Sequence, residues 1–286
     1  MAEVGRPKVI FDTSAINKLA NDAEFLALSA GIRAAFFLRL TETNIAEVVA
    51  TQDQSERLRL WQMLRYLTKK GECILPFNQI VENAIRIYNR RPGSFDWRRM
   101  EIRLPQAEAV IWQQDHISDE LAQKQRDQLK MLQKQFEEVY SSMRPSFDAI
   151  FEEAKSSRPS LSELLKIFLK DGGAAWAYGE LLYSKVVPSP TEETVRAFYK
   201  AFPPFSALVV ALCVVQYDRC IRDLRTGPSL RAGRLDMFMA TYLPYCDQFV
   251  SDDDRQLRCL QAVSAELGSS VTVRSYAEFR MGLMGF

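Results

Sequence analysis

The stretch Lys8-Val-Ile-Phe-Asp12 sets the fold, because it is a short apolar run that ends abruptly at an acid. Apolar runs of about four to eight residues bounded by polar ones are typical of strands that are buried on both faces, as in parallel sheets. A helical pattern follows from Ser14 to Leu28, with Ile16 and Leu19 at helical spacing. The sequence therefore begins with a strand and a helix, which is the start of a βαβ unit.

The alternation of strand and helix continues through residues 1–90 and returns in residues 229–286. Further strands are predicted at Ala34–Leu40, Cys73–Pro76, Gln248–Ser251 and Ser270–Arg274. Further helices are predicted from Ile45, at Leu58–Leu67, Asn78–Tyr88, Leu235–Tyr242 and Asp254–Glu266. Strands at both ends of the chain with helices between them would most simply form one parallel sheet. The sequence thus predicts an α/β protein whose domain has two parts.

The middle of the chain, residues 91–228, has lost the strand patterns. A long polar helix with an apolar stripe is predicted from Ala107 to about Ser142, and such a stripe implies a partner helix. Candidate partners are Leu161–Leu169, Ala174–Val187 and Phe205–Cys220, separated by proline-containing loops. We therefore predict a helical insertion at residues 91–228, which interrupts the α/β domain and packs on itself.

Composition limits the classes of function. The chain has 286 residues, 47% of them hydrophobic, and its 37 Lys plus Arg nearly balance its 36 Asp plus Glu, so any polyanion must be met by a local basic patch. Its five cysteines show no CxxC pair, and its start, MAEVGRPKVIFD, does not resemble a signal peptide. The longest apolar stretch, Phe205–Val215, is shorter than the roughly 20 residues that cross a bilayer. We expect a cytoplasmic protein with reduced cysteines and no membrane association.

Acidic residues stand where predicted strands end. Asp12 follows the first strand, Asp253 follows the strand at Phe249, Glu47 lies on the helix after the second strand, and Asp236 opens a helix. In an open parallel sheet the carboxyl ends of the strands line one crevice, so these four carboxylates are expected to meet. Clustered carboxylates repel each other unless a cation lies between them, and oxygen ligands suit Mg²⁺ or Mn²⁺. Two such ions can hydrolyse a phosphodiester without any histidine.

Each acid also has a purely structural interpretation. Asp12 suits the N-cap of the helix that follows it, and Glu47 suits a solvated helix position. Asp236 lies near Arg234 in sequence and suits a surface ion pair with it.

Two groups of basic residues are candidates for nucleic-acid binding. Arg98 and Arg99 adjoin Trp97, and arginines beside aromatic rings bind phosphates and stack bases in single-strand binders. The second group lies near Asp236 in sequence and comprises Arg222, Arg225, Arg231 and Arg234. A loop tethered to a neighbouring helix is the structural alternative for the first group.

Several motifs together resemble a known family. Val9-Ile-Phe-Asp-Thr-Ser-Ala-Ile-Asn17 resembles the opening of PIN-domain proteins, whose first strand ends in an Asp followed by Thr or Ser. Thr41-Glu-Thr-Asn-Ile-Ala-Glu-Val48 is similar to their second-strand exit, with the helical Glu of the family at Glu47. Further similar segments, in the order of the family, are Ile74–Asn78, Leu235–Ala240, Phe249–Asp254 and Ser270–Phe279. Together they cover roughly half of the chain.

The resemblance implies a three-layer α/β/α fold and Mg²⁺- or Mn²⁺-dependent ribonuclease activity, as in VapC-type toxins. The implied acidic site is Asp12, Glu47, Asp236 and Asp253, with Thr13 or Ser14 bracing it through hydroxyl hydrogen bonds and Ser251 at the Thr/Ser position of the late motif. The family spacing selects Asp253 as the ligand and leaves Asp252 as the alternative. One of the three consecutive acids is expected to cap the next helix, and Asp254 is the predicted N-cap.

A helical insertion of this size departs from the single-domain toxins of the family. An RNA substrate is expected, and an antitoxin or other protein partner on the insertion, or a homo-oligomer, stays open. Two alternatives remain for the activity: a catalytically silent PIN-like binding or scaffold protein, and a structure-specific DNA nuclease. A dehalogenase-type phosphatase is disfavoured, because it needs a second Asp at the position of Ser14.

Overall fold

A parallel five-stranded sheet forms the centre of the computed structural model, with the strand order β3-β2-β1-β4-β5. The structure describes residues 5–134, 138, 159–170, 173–217 and 236–285. The strands are β1 Lys8–Phe11, β2 Phe37–Thr41, β3 Glu72–Ile74, β4 Gln248–Ser251 and β5 Thr272–Ser275. Helices cover both faces of the sheet, so the predicted three-layer α/β/α fold is confirmed.

The apolar run that begins the chain occupies the middle of the sheet. Val9, Ile10 and Phe11 are fully buried, and the register places Ile10 between Arg39 of β2 and Phe249 of β4. Val9 and Phe11 belong to the core on one face, and Ile10 belongs to the core on the other. A strand with both faces buried must be apolar at every position, which explains its uninterrupted pattern.

The two faces of the sheet are covered by different sets of helices. One face carries α1 Thr13–Asn21, α2 Phe25–Ala35, α3 Glu42–Ala50, α4 Gln54–Leu67, α6 Pro105–Gln113, α7 (residues 119–134) and α13 Tyr276–Met284. The other carries α5 Phe77–Arg90, α8 Leu161–Phe168, α9 Ala175–Ser184, α10 Glu192–Ala201, α11 Pro203–Tyr217, α12 Asp254–Glu266 and a long 3₁₀ helix, Asp236–Tyr245.

The single helix predicted at Ser14–Leu28 is two helices, because the chain turns at Asp22. The backbone of Asp22 is extended, with ψ 136°, and its side chain accepts a hydrogen bond from the Glu24 N–H at 2.9 Å. The other carboxylate oxygen accepts from the Tyr276 hydroxyl at 3.1 Å and from Arg280 at 2.9 Å, both on α13. Partners from the far end of the chain therefore fix the break, and local sequence does not reveal them.

The long helix predicted at Ala107–Ser142 is also broken, between α6 and α7. The indole N–H of Trp61 on α4 donates to the Gln114 carbonyl at 2.8 Å, which holds the chain in a non-helical conformation. The Ser118 hydroxyl then accepts the Leu121 N–H at 3.2 Å and starts the next helix. The predicted residues 135–137 and 139–142 lie outside the described part.

The helices of the middle segment contact one another, as predicted, but they also cover the sheet. The α11 helix packs against α8, α9 and α10 and, more extensively, against the long 3₁₀ helix and α12. Its buried residues share one core with Ile10 and Phe249 of the sheet. The first residues of the middle segment also run beside β3, where the Leu104 N–H donates to the Cys73 carbonyl at 2.7 Å. The division at residues 91 and 228 stays a prediction.

Membrane and cysteine features can be stated for the described residues. Among them no single helix is both long and apolar enough to span a bilayer, and α10 and α11, which qualify only as a pair, meet at 114°. The cysteines that can be placed, Cys73, Cys213, Cys246 and Cys259, are buried and free.

Gly71 offers a test of how closely β3 approaches β2. A Cβ at Gly71 would lie 2.5 Å from the backbone carbonyl oxygen of Leu38, whereas a Cβ at Gly93 would meet nothing within 4 Å. We predict that Gly71→Ala lowers the free energy of unfolding by about 1–3 kcal/mol, because backbone must move. Gly93→Ala is expected to change it by less than about 0.5 kcal/mol. Urea unfolding followed by circular dichroism measures both, and equal stabilities would contradict the close approach.

Candidate functional site

The ends of β1 and β4 lie side by side where the connections of the sheet change direction. From β1 the chain moves outward to β2 and β3, and on its return it enters β4 on the other side of β1 and continues to β5. Ligands of open α/β sheets bind at such a switch point, beyond the carboxyl ends of the strands. Asp12 follows β1 and Ser251 ends β4, so both lie at this position.

Asp12 is a buried carboxylate held by neutral donors. The residue is only 7% exposed. Its backbone N–H donates to the Val250 carbonyl at 2.8 Å, which extends the β1–β4 pairing. Its Oδ2 accepts from the Ser14 N–H at 3.0 Å and from the Ser14 hydroxyl at 2.6 Å. Its Oδ1 accepts from the Gln256 amide at 3.3 Å. Asp12 is thus both the N-cap of α1 and the centre of a polar network.

The two predicted hydroxyl supports, Ser14 and Ser251, belong to this network. Their hydroxyl oxygens are 3.2 Å apart, and the Ser251 hydroxyl also lies 3.4 Å from Asp12 Oδ2. The Ser14 oxygen accepts the Asp252 N–H at 2.9 Å, and the Ser251 oxygen accepts the Asp253 N–H at 3.0 Å. The hydroxyls therefore connect α1 to the loop after β4 and fix the direction of the Asp12 carboxylate.

Thr13 connects β1 to the end of β2 through a residue that the sequence patterns did not single out as a site residue. Its hydroxyl oxygen accepts from the Asn44 amide at 3.2 Å. Asn44 is fully buried, and its Oδ1 accepts from the Thr41 N–H at 3.0 Å in the capping box of α3. Thr41 is the N-cap, so the helix begins at Glu42, three residues before the predicted start at Ile45. The capping-box spacing Thr41-x-x-Asn44 is the signal that would have identified Asn44.

Glu47 lies on α3, one turn beyond Asn44. Residues three apart share a helix face, so Glu47 is on the face whose Asn44 reaches Thr13. The residue is half-buried. The position of Glu47 on α3 is therefore compatible with its predicted place near the ends of β1 and β2.

The three consecutive acids after β4 have defined local roles, and one of these roles, the N-cap of α12, differs from the prediction. Asp253, and not Asp254, is the N-cap of α12, and its Oδ1 accepts from the Arg255 N–H at 2.7 Å and the Gln256 N–H at 3.0 Å. The assignment of Asp254 was wrong because Ser251 captures the Asp253 N–H and holds Asp253 extended, at φ −97° and ψ 110°. Asp253 Oδ2 takes no part in the capping bonds. The alternative ligand, Asp252, is exposed and pairs with Lys18 at 3.3 Å.

Asp236 is the first residue of the long 3₁₀ helix, which agrees with its predicted position at the opening of a helix. Three residues later, the Met239 sulfur lies 3.8 Å from the Thr41 hydroxyl, at the end of β2. The helix then runs toward the start of β4, so its first residue lies on the same edge of the sheet as Asp12. The side chain of Asp236 is outside the described part, and so are the basic candidates Arg222, Arg225, Arg231 and Arg234.

The other basic candidates lie at the opposite edge. Arg98 and Arg99 belong to a short 3₁₀ turn in which the Trp97 ring packs against Tyr245 at 5.4 Å. Tyr245 lies three residues before the start of β4, whereas Asp12 adjoins the end of β4. Arg99 pairs with Asp96 at 3.2 Å, and Arg98 lies over the Trp97 ring at 5.0 Å. This loop therefore lies away from the switch point, which supports the structural alternative for it.

Glu42 is an acid at this edge that the sequence interpretation did not select. It is the first residue of α3, directly after β2, and is half-buried. Burial raises the pKa of the Glu42 carboxyl. Burial raises the pKa of the Tyr242 hydroxyl, and the charge of Glu42 raises it further. This hydroxyl donates to the carbonyl of Leu75, just after β3, at 3.2 Å. Glu42 thus adds negative potential between the ends of β2 and β3.

The site fits a divalent cation by its donor chemistry. Among the described residues Asp12 has no Lys or Arg as ion-pair partner, and Lys18 of α1 pairs with Asp252 at 3.3 Å. The surrounding groups are oxygen donors, which hard cations prefer. Within the described ranges, no three Asp, Glu, His or Cys side chains form a preassembled metal cluster. Mg²⁺ needs only one or two carboxylates, because it retains several waters.

The burial of Glu42 gives a pH-dependent prediction. A carboxyl whose pKa is raised on folding contributes stability that is fully present below its unfolded pKa and is lost as the pH rises through the folded pKa. In EDTA we expect Glu42→Gln to have a higher free energy of unfolding than the parent near pH 7. The difference should vanish near pH 3.5, below the ordinary Glu pKa of about 4.3. The control is Glu193→Gln, an exposed first-turn residue of α10. Equal gains in both variants in urea unfolding would contradict the effect of burial.

Comparison with known proteins adds no relative to these observations. No family model matches the chain, and neither the curated proteins nor the solved structures provide a match. The resemblance to PIN domains therefore stays a prediction from the motifs.

Proposed function

We propose that this chain is a divalent-metal-dependent nuclease that hydrolyses phosphodiester bonds, with RNA as its substrate. One observation carries the proposal: Asp12 is a buried carboxylate at the switch point of a parallel sheet, and only neutral donors hold it among the described residues. A buried carboxylate is costly unless it is compensated. A bound divalent cation would supply the missing positive charge.

The residues that would hold the metal are Asp12, Glu47, Asp236 and Asp253. When bound, Mg²⁺ or Mn²⁺ supplies an activated water and stabilises the negative charge on the scissile phosphate and the leaving oxygen. Ser14 and Ser251 donate to Asp12, so they orient its carboxylate. Both capping hydrogen bonds of α12 go to Asp253 Oδ1, and Oδ2 accepts neither of them. The single histidine, His116, is exposed between α6 and α7 and has no role in this scheme.

The helices at this edge suit an anionic substrate. Both α1 and α12 begin at the switch point, directly after Asp12 and Asp253. Their N-termini carry partial positive charge, which favours a phosphate nearby. We propose Arg222, Arg225, Arg231 and Arg234 as contacts to the nucleic-acid backbone, because they precede Asp236 in the sequence. The choice of RNA, a cytoplasmic location and an antitoxin-like partner on the helical segment rest on the sequence motifs and composition.

The first prediction for this function concerns metal dependence. Purified full-length protein should cleave single-stranded or structured RNA in Mn²⁺ or Mg²⁺ and stop in EDTA, because the acids alone cannot activate water. Cleavage is measured on labelled RNA and on DNA of the same sequence. Activity that persists in EDTA would contradict the metal-based mechanism.

The substrate comparison separates the proposed function from its alternatives. Cleavage confined to branched or flapped DNA would indicate a structure-specific DNA nuclease. Metal binding without cleavage of either polymer would indicate a silent binding or scaffold protein.

The second prediction concerns Asp12. Asp12→Asn should reduce cleavage by more than about 100-fold, since loss of a metal ligand exceeds the cost of an outer-sphere change. The fold should persist, because Asn caps helices as well as Asp. Asp53→Asn is the matched control, since Asp53 caps α4 in the same way and its side chain accepts the Glu56 N–H at 2.7 Å. Asp236→Asn is expected to behave like Asp12→Asn.

Circular dichroism and thermal unfolding establish that each variant is folded before cleavage is compared. Full activity of folded Asp12→Asn would remove this residue from the site, and loss of activity in Asp53→Asn would show that the assay reports on helix capping.

A further inference from the structure

Gln256 is a buried amide that adjoins the Asp12 carboxylate. It lies in the first turn of α12, is 4% exposed, and its Nε2 is 3.3 Å from Asp12 Oδ1. Its backbone N–H is already used in the capping of α12 by Asp253. The side chain therefore extends from the first turn of α12, which follows β4, to the end of β1 across the switch point.

The direction of this side chain departs from the usual geometry of its position. Asp253-x-x-Gln256 has the spacing of a capping box, in which the side chain at the third helical position accepts the N–H of the N-cap residue. In three other helices of the described part, Asn44, Glu163 and Glu278 do so. In α12 the Ser251 hydroxyl takes the Asp253 N–H instead, at 3.0 Å. Gln256 is thereby released from capping and turned toward Asp12.

The released amide leaves one atom without a partner. Gln256 Oε1 is buried and accepts no hydrogen bond from any described residue. Buried amide oxygens in folded proteins are almost always satisfied, and an unsatisfied one costs stability. The oxygen and Nε2 share one carbon, so Oε1 also lies beside the Asp12 carboxylate. A neutral acceptor and a carboxylate without an ion-pair partner therefore adjoin each other in one buried place.

We propose that Gln256 Oε1 is a neutral oxygen ligand of the divalent cation that Asp12 holds. The proposal rests on the metal-dependent function above and extends it by one ligand. Amide carbonyls are common ligands of hard cations, and a neutral ligand adds coordination without adding repulsion to the nearby acids. In the metal-free protein Nε2 donates to Asp12 and keeps the amide at the site.

A purely structural role makes a different prediction. If Gln256 acts only through its Nε2 donor to Asp12, any residue without the amide N–H should impair the site equally. A ligating oxygen, in contrast, can be replaced by another oxygen. Gln256→Met and Gln256→Glu separate these roles, because Met keeps the length but removes the oxygen, and Glu keeps an oxygen but removes the donor.

The experiment uses full-length protein stripped of metal and titrated with Mn²⁺. Bound Mn²⁺ is counted from the loss of the free-ion signal in electron paramagnetic resonance, and Tm is measured in EDTA and in Mn²⁺. We expect Gln256→Met to weaken Mn²⁺ binding by about tenfold or more. Gln256→Glu should bind at least as tightly as the parent, while its Tm in EDTA falls because two carboxylates then face each other. Gln261→Met, an exposed position on the same helix, should leave binding unchanged.

Each outcome bears on the proposal in a defined way. Parent-like Mn²⁺ binding by Gln256→Met, or equal loss in the Met and Glu variants, overturns the ligand role while the Asp12 site stands. If Gln256→Met does not fold, Gln256→Glu decides, and weaker binding than the parent overturns the proposal. Absence of Mn²⁺ binding by the parent overturns the metal-dependent function itself, and the ligand role with it.

Discussion

The charge of one buried side chain governs the arrangement of this protein at the switch point of its sheet. Asp12 ends the central strand, is surrounded by hydroxyl, amide and backbone donors, and has no cationic partner among the described residues. The donors come from three elements, Ser14 of α1, Ser251 of β4 and Gln256 of α12, so the carboxylate ties these elements to one point. Neutral donors stabilise an ionised acid only in part, because they carry dipoles and no net charge. The network therefore orients Asp12 without adding a net positive charge, and the proposed cation site rests on this feature.

The fold makes this position possible through the way the sheet is covered. A parallel strand such as β1 can be buried only if helices lie on both faces. The helices near the N-terminus cover one face, and the second is covered by α11, α12 and the long 3₁₀ helix, which share a core with Ile10 and Phe249. The same 3₁₀ helix starts near the end of β2 and finishes before β4, so its first residue, Asp236, lies at the edge of the sheet where the site is proposed, while the helix packs against the sheet. Packing and site thus use the same elements.

Local patterns were sufficient for part of this structure. The bounds of β1, β4 and α12 follow from short apolar runs and from the acids that end them, and the predicted three-layer architecture is confirmed. The breaks in the predicted helices at Asp22 and Gln114 were missed, because Tyr276, Arg280 and Trp61 fix them from distant parts of the chain. In the site, Asp12, Ser14 and Ser251 came from motif order. Gln256 did not, because its direction depends on a hydroxyl of β4 that competes for the N-cap N–H.

That competition shows how capping and ligand binding can share residues. Asp12 and Asp253 both serve as N-caps, a role that uses one carboxylate oxygen of each for backbone N–H groups. Such bonds fix the side-chain torsions without removing the negative charge, so the second oxygen of each acid is held in a defined direction. Because Ser251 accepts the Asp253 N–H, the third-position side chain of α12 is excluded from the capping box and lies against Asp12 instead. A single serine at the end of β4 thereby turns a helix-start motif into a place where an amide adjoins a buried carboxylate, which is the arrangement on which the proposed cation site rests.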